Sequence, residues 1–164
     1  MKRHFTATGF VVDGRRTLLH WHQRLQQWMP PGGHIEADED PVQAVLREIR
    51  EETGFTTEVI PLIGLMSFDD PKQLPAPYTI LVEDIPGPDE PHQHIDLIYF
   101  CRPVDGTLGD PVPDPTLRWV DESELRSNVT LDVTGCGLSV AVPEDVRQLS
   151  LIAIETVRRT MPHP

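Results

Sequence analysis

The sequence predicts an α/β fold, on three observations. Short runs rich in β-branched and aromatic residues recur along the chain, a strongly capped amphipathic helix sits among them at about residues 41–52, and a second amphipathic helix follows Pro143. At 164 residues the chain is long enough to bury a core without disulfides or a structural metal, so a single domain over residues 1–164 is expected. A formal net charge of −12 argues against a surface that tracks the phosphates of long nucleic acid. It leaves open a small phosphorylated substrate whose charge is met by metal ions.

The first strand is expected at residues 5–12, FTATGFVV, ending at the hairpin-type turn Asp13-Gly14. A second follows at residues 17–22, with Leu19 and Trp21 on one face and Leu18, His20 and His22 on the other. Residues 23–29 read as a polar loop carrying Arg24, a candidate phosphate contact, and the aromatic Trp28. Pro30-Pro31 then force an extended entry into Gly32-Gly33, where close backbone approach is possible.

The helix that follows has its boundaries written in the sequence. Asp40 is an N-cap, Pro41 fits the first helical position, Gln43 completes a capping box, and Gly54 stands where a helix-ending glycine belongs. Val42, Val45, Leu46 and Ile49 form the apolar stripe that should lie on the sheet. Glu48, Glu51 and Glu52 fall within an arc of roughly 100° beside that stripe. Three like charges so close repel one another, and a hard divalent cation with oxygen ligands is the simplest partner.

Further strands are expected at residues 56–63, with an extension over 65–68, then at 78–82 and 94–101. Between the last two, EDIPGPDEPHQ reads as an acidic surface loop carrying Glu90. The 94–101 strand opens with His94 and Asp96 on one face, pointing either into a site or into water. After turns at residues 105–115, a short strand (117–120) and a short helix (122–126) are expected. Residues 127–141 carry no clear pattern, and the final helix places Val146, Leu149, Ala153 and Val157 at helical spacing.

Cys101 and Cys136 have neither metal-site nor scaffold spacing, so a reducing, cytoplasmic setting is expected. The N-terminus lacks a signal-peptide pattern, and no apolar run approaches the ~18 residues of a membrane span. His20, His22, His92 and His94 occur at i, i+2 spacing without cysteines and read as partly exposed strand residues rather than a zinc site.

Gly33, Glu39, Arg47-Glu48-Ile49, Glu51-Glu52 and Gly54-Phe55, at these spacings, resemble the complete signature of the Nudix hydrolase family. A chance match at the fixed positions is on the order of 10⁻⁸ per start point. The strand order before the signature and the RWVDESEL stretch (118–125) after it are also similar to that family's domain. The resemblance implies an α/β/α sandwich with a central mixed sheet. It implies hydrolysis of a diphosphate bond in a nucleoside diphosphate derivative, with water as nucleophile and Mg²⁺ or Mn²⁺ as cofactor.

By matching position, Glu48 and Glu52 resemble the principal metal ligands, with Glu51 in the same cluster and a carbonyl of Gly32 or Gly33 as a further ligand. Arg47 is the orienter that pairs with a glutamate, and Glu39 braces the turn or approaches the metal. Outside the signature, Glu90 and Asp96 are candidates for a completing base or ligand, and Glu51 is a candidate base itself. His34 is a candidate phosphate contact. Pro71 follows Phe55 at the spacing seen in ADP-ribose hydrolases of the family, while oxidised nucleoside triphosphates and dinucleoside polyphosphates stay in play. Trp21, Trp28, Phe68 and Tyr78 are candidates for base stacking or for core. A small nucleotide-type partner, no membrane and a candidate homodimer complete the expectation. The rival readings are a non-catalytic nucleotide sensor on the same fold, and an isoprenoid diphosphate isomerase using Cys101 with a glutamate.

Overall fold

The computed structural model describes residues 2–86, 91–104 and 114–160. Its organising pair is β1 (Lys2–Asp13) beside β7 (His92–Pro103), two long strands in parallel register from Lys2 opposite His92 to Val11 opposite Cys101. Every other pairing in the main sheet is antiparallel. β2 (Arg16–His22) continues from β1 through the turn at Gly14, whose φ of 62° suits a residue without a β-carbon. Beyond β2 lie β3 (Gln27–Met29) and β8 (Leu117–Asp121). On the other flank, β7 pairs with β6 (Thr79–Ile85) along its first half and with β5 (Thr57–Val59) along its second. The short β4 (Gly32–His34) pairs with the first half of β1.

The strand pleat divides the core in two. Ala7, Val11, Leu18, Tyr99 and Cys101 face helix α1 (Pro41–Thr53), which contributes Ala44, Val45 and Ile49. Phe10, Val12, Leu19, Ile98 and Phe100 face the other side and meet Val146, Ala153, Ile154 and Val157 of α3 (Glu144–Thr160). The short α2 (Glu122–Ser127) adds Leu125 to that second core. The result is the expected α/β/α sandwich around a mixed sheet.

Several boundaries differ from the sequence expectation, each for a physical reason. Residues 23–29 are not all loop: Gln27–Met29 form β3, and Trp28 is 1% exposed with its ring edge-on to Trp21. Burial removes Trp28 and Trp21 from the candidate substrate contacts. The 56–63 strand shrinks to β5, because β7 supplies pairing partners only for Thr57–Val59, and residues 65–68 form no strand. Within the acidic stretch 83–93, Glu83–Ile85 and His92–Gln93 stand in the β6–β7 ladder rather than in a loop. Glu90 lies outside the described residues. The patternless stretch 127–141 holds a two-stranded hairpin, β9 (Thr130–Val133) with β10 (Leu138–Ala141), whose Leu131 and Val133 join the second core.

Gly9 sets how closely α1 approaches the sheet. A β-carbon there would stand 2.6 Å from Ile49 Cδ1 and 2.9 Å from Val45 Cγ2. Gly9→Ala should therefore lower the unfolding free energy by about 1–3 kcal/mol, the usual range for overpacking a filled core. Equilibrium urea denaturation measures it, and an unchanged midpoint would show that α1 is free to move.

Candidate active site

α1 begins and ends where its sequence says. The Asp40 side chain accepts from the Val42 and Gln43 amides at 2.9 Å, and the Gln43 side chain accepts from the Asp40 amide at 2.9 Å. At the other end Gly54 adopts φ 76°, and its N–H donates to the Arg50 carbonyl. With the ends fixed and the apolar stripe seated on β1, rotation about the axis is also fixed. Glu48, Glu51 and Glu52 therefore project along the edge of the helix nearest β4.

Arg47 is the centre of the array. Its Nε and Nη2 donate to the two oxygens of Glu39 at 2.6 and 2.9 Å, and its Nη1 donates to Glu48 at 2.8 Å and Glu51 at 3.1 Å. Nη2 also donates to the His34 carbonyl at 3.1 Å, tying the end of β4 to the helix. The Arg47 fork holds the Glu39 carboxyl below the usual carboxylate range, chiefly through these hydrogen bonds. In turn the carboxylates raise the guanidinium.

Glu52 is outside Arg47's reach. Its Oε2 accepts from the Gly32 amide at 3.0 Å and stands 3.8 Å from His20 Nε2. That His20 contact is no ion pair, because burial, followed by the neighbouring His22, pushes the imidazole down to about 4. Burial pushes the Glu52 carboxyl up to about 7, and the Glu48 and Glu51 charges add to this against the Gly32 N–H. Among the described residues no arginine or lysine pairs with Glu52.

The two glycines exist for close approach. A β-carbon on Gly33 would collide with the Glu48 carboxyl, and one on Gly32 would collide with Thr8 and the Ala7 carbonyl, which is backbone and cannot give way. Helix and strand are thus pressed together: the Glu48 carboxyl lies against Gly33, the Gly32 amide donates to Glu52, and the His34 carbonyl accepts from Arg47. An all-oxygen set of this kind, with one carboxyl starved of a counter-charge, fits a hard divalent cation such as Mg²⁺ or Mn²⁺.

The structure brings together Glu39, Arg47, Glu48, Glu51, Glu52, Gly32 and Gly33, all named from the sequence. His34 is present at the end of β4 with its ring exposed. Asp96 is buried on the sheet face opposite α1, where the Thr6 hydroxyl donates to it at 2.9 Å and Thr8 also bonds it; burial raises its carboxyl. His94 lies on that same face, two residues earlier, and Arg24 is near enough for its charge to act on His94. Cys101 is fully buried with its thiol pushed up by burial, so the acid–base pair an isomerase would need is not formed there. His20 was not singled out as a neighbour of the glutamates. No local signal links it to Glu52, because only the placement of β2 beside β3 brings the two together.

The family profile for the NUDIX domain matches residues 2–134, and the chain belongs to the Nudix family. Among curated relatives, an RNA pyrophosphohydrolase of Thioalkalivibrio sulfidiphilus (strain HL-EbGR7) is 38% identical over 58 residues, covering 34% of each chain. An RNA pyrophosphohydrolase of Hydrogenovibrio crunogenus (strain DSM 25203 / XCL-2) is 33% identical over 72 residues, covering 40% of this chain and 44% of the relative. The matched region thus spans less than half of these relatives' length. A NUDIX-family hydrolase structure from Clostridium perfringens aligns with a TM-score of 0.70 at 24% identity, covering 96% of this chain and 99% of the other. An ADP-ribose pyrophosphatase structure from Streptococcus suis aligns at 0.53 and 14% identity, covering 98% and 94%. At these identities the two structures establish the fold alone. No helix among the described residues is long and apolar enough to cross a membrane.

Two outcomes test the site's electrostatics. Arg47→Lys replaces a planar fork by a point charge that cannot hold Glu39, Glu48, Glu51 and the His34 carbonyl together. Divalent-metal affinity, measured by titration calorimetry, should fall by about 10- to 100-fold, as for other residues that orient ligands.

Glu83, half-buried in β6, is pushed up to about 7, first by burial and then by Asp96 and Asp145. In the unfolded chain it ionises near its ordinary 4.5, so stability is lost as pH rises from about 4.5 to 7 and is level above that. Glu83→Gln should gain about 1 kcal/mol at pH 8, a figure held down by solvent screening of a half-exposed group, and nothing near pH 4.5. Urea denaturation at the two pH values reads the difference.

Proposed function

We propose that the protein hydrolyses a diphosphate bond in a small nucleoside diphosphate derivative, with water as nucleophile and a divalent cation bound at the glutamate array. The observation that carries this reading is the split of the four carboxylates. Arg47 bonds and orients Glu39, Glu48 and Glu51, while Glu52, held by the Gly32 amide, has no cationic side chain bonded to it among the described residues. A charge array built only for solubility needs neither the glycine approach nor this asymmetry.

Glu48 and Glu52, with a carbonyl of Gly32 or Gly33, are the residues that would hold Mg²⁺ or Mn²⁺. When bound, the ion neutralises phosphate charge and acidifies a water. The chain's own groups supply the rest. Arg47 and Glu39 keep the array rigid, so that little reorganisation is needed in the transition state. Glu51 is the most exposed of the three helix glutamates, its side chain 60% accessible against 16% for Glu48 and 30% for Glu52. That exposure suits it to accept the proton of the attacking water. The buried Asp96, on the sheet face opposite α1, is disfavoured as the base, while Arg24 and His34 stay candidate phosphate contacts. A nucleotide sensor lacking catalysis is disfavoured, because none of the signature's glutamates is replaced.

The RNA pyrophosphohydrolase relatives favour a second substrate reading, the 5′-triphosphate end of an RNA. The −12 charge favours a small nucleotide over a long polyanion. A panel containing ADP-ribose, nucleoside triphosphates, dinucleoside polyphosphates and a short 5′-triphosphorylated RNA, assayed with Mg²⁺ or Mn²⁺, separates them.

Glu52→Gln keeps the shape and an acceptor for the Gly32 amide but removes the charge. It should lower kcat on the order of 10²–10³-fold with no loss of thermal stability. Full activity in this variant would sink the metal assignment, and no turnover of any compound by the wild type would favour the sensor.

A further inference from the structure

A second cluster of potential ligands stands on the sheet face opposite α1. His92 and His94 share that face because strand side chains alternate with a period of two. The parallel register of β1 and β7 sets His4 beside His94. One ligand nitrogen from each of His4, His92 and His94 lies within 4.8 Å of the other two, and all three residues are half-buried. β4 delivers a fourth imidazole: His34 Nε2 is 3.2 Å from His4 Nδ1, and its ring centroid is 5.0 Å from that of His94.

The plain alternative is a patch of imidazoles that hydrogen-bond one another. His94 does not fit it: its Nε2 is buried without a hydrogen-bond partner among the described residues. Burial, together with the surrounding His34, His92 and His4, also pushes this imidazole down to about 4, so near neutral pH it is uncharged and keeps a free lone pair. Imidazole nitrogens without carboxylates in the set suit Zn²⁺ and its neighbours in the transition series, not Mg²⁺.

We infer that His4, His92 and His94, with His34 as fourth ligand, form a nitrogen-only binding site for a divalent transition ion of the Zn²⁺ type, separate from the carboxylate array. Zn–N distances of about 2.0–2.1 Å require the rings to close in by small side-chain rotations, which half-buried strand residues permit. Glu83 stands opposite His94 in the β6–β7 register, on the same face. The link to the carboxylate array is His34: its ring joins the cluster while its carbonyl accepts from Arg47. The inference does not depend on the hydrolase reading.

Titration calorimetry of Zn²⁺ into the untagged full chain, in excess Mg²⁺, tests it, with Co²⁺ as the spectroscopic probe. The expected result is one Zn²⁺ per chain and a Co²⁺ visible spectrum characteristic of nitrogen ligation. Both should be retained in the Glu48→Gln Glu52→Gln double variant and weakened at least about tenfold in His94→Gln and in His4→Gln. Circular dichroism reports folding of each variant. His4, near the end of its strand, supplies the decisive variant if His94→Gln does not fold. Absence of saturable Zn²⁺ binding to the wild type would overturn the inference. So would full-strength binding in His4→Gln, or loss of Zn²⁺ only in the glutamate variant. Mg²⁺-dependent hydrolysis by the same preparation is scored separately, so failure of one reading leaves the other standing.

Discussion

The Arg47 guanidinium is the constraint on which the candidate active site depends. It bonds three carboxylates and one backbone carbonyl from a side chain that is itself 28% exposed. Without it, Glu39, Glu48 and Glu51 would repel one another across the edge of α1, and β4 would lose the link through the His34 carbonyl, keeping the Gly32–Glu52 bond. A lysine would bring as much charge but, with three donors, could not satisfy the five acceptor oxygens that Arg47 bonds. The arginine therefore acts as a geometric part as much as an electrostatic one.

That constraint works only because the backbone lets helix and strand come close. Gly9 admits Ile49 and Val45 to the sheet, Gly33 makes room for the Glu48 carboxyl, and Gly32 lies against Thr8 while its amide holds Glu52. The caps at Asp40 and Gly54 fix the helix ends, and the apolar stripe fixes its rotation. Charge at the surface is thus positioned by packing beneath it. Glu52 lies beyond the fork of Arg47 and is held instead by the Gly32 amide.

The sheet presents different chemistry on its two faces. Carboxylates gather at the edge of the face covered by α1. On the other face, beyond the apolar floor beneath α3, lie the Asp96 carboxyl held by Thr6 and Thr8, the raised carboxyl of Glu83, and the group of imidazoles. Oxygen ligands and nitrogen ligands attract different ions, so the two regions need not compete for one metal. β4 touches both, with Gly32 and Gly33 at the first and His34 at the second.

Local pattern determined a good deal by itself. The capping residues, the apolar stripe and the arc of Glu48, Glu51 and Glu52 are set by a period of 3.6 residues, and the spacing from Gly33 to Phe55 placed the chain in its family. Strand faces such as Leu19 and Trp21 against Leu18 were legible for the same reason. What only the tertiary structure decided depends on contacts far apart in sequence. Trp28 became core because β3 found β2, and residues 56–63 shortened because β7 offers few partners there. The hairpin at 130–141 is held by burial of Leu131 and Val133, a pattern too short to show as a period. His20 beside Glu52, and His4 with His34, His92 and His94, follow from strand register, which no run of neighbouring residues encodes. The sequence from Pro30 to Phe55 thus specified the family likeness of the candidate array, while long-range pairing decided what surrounds it.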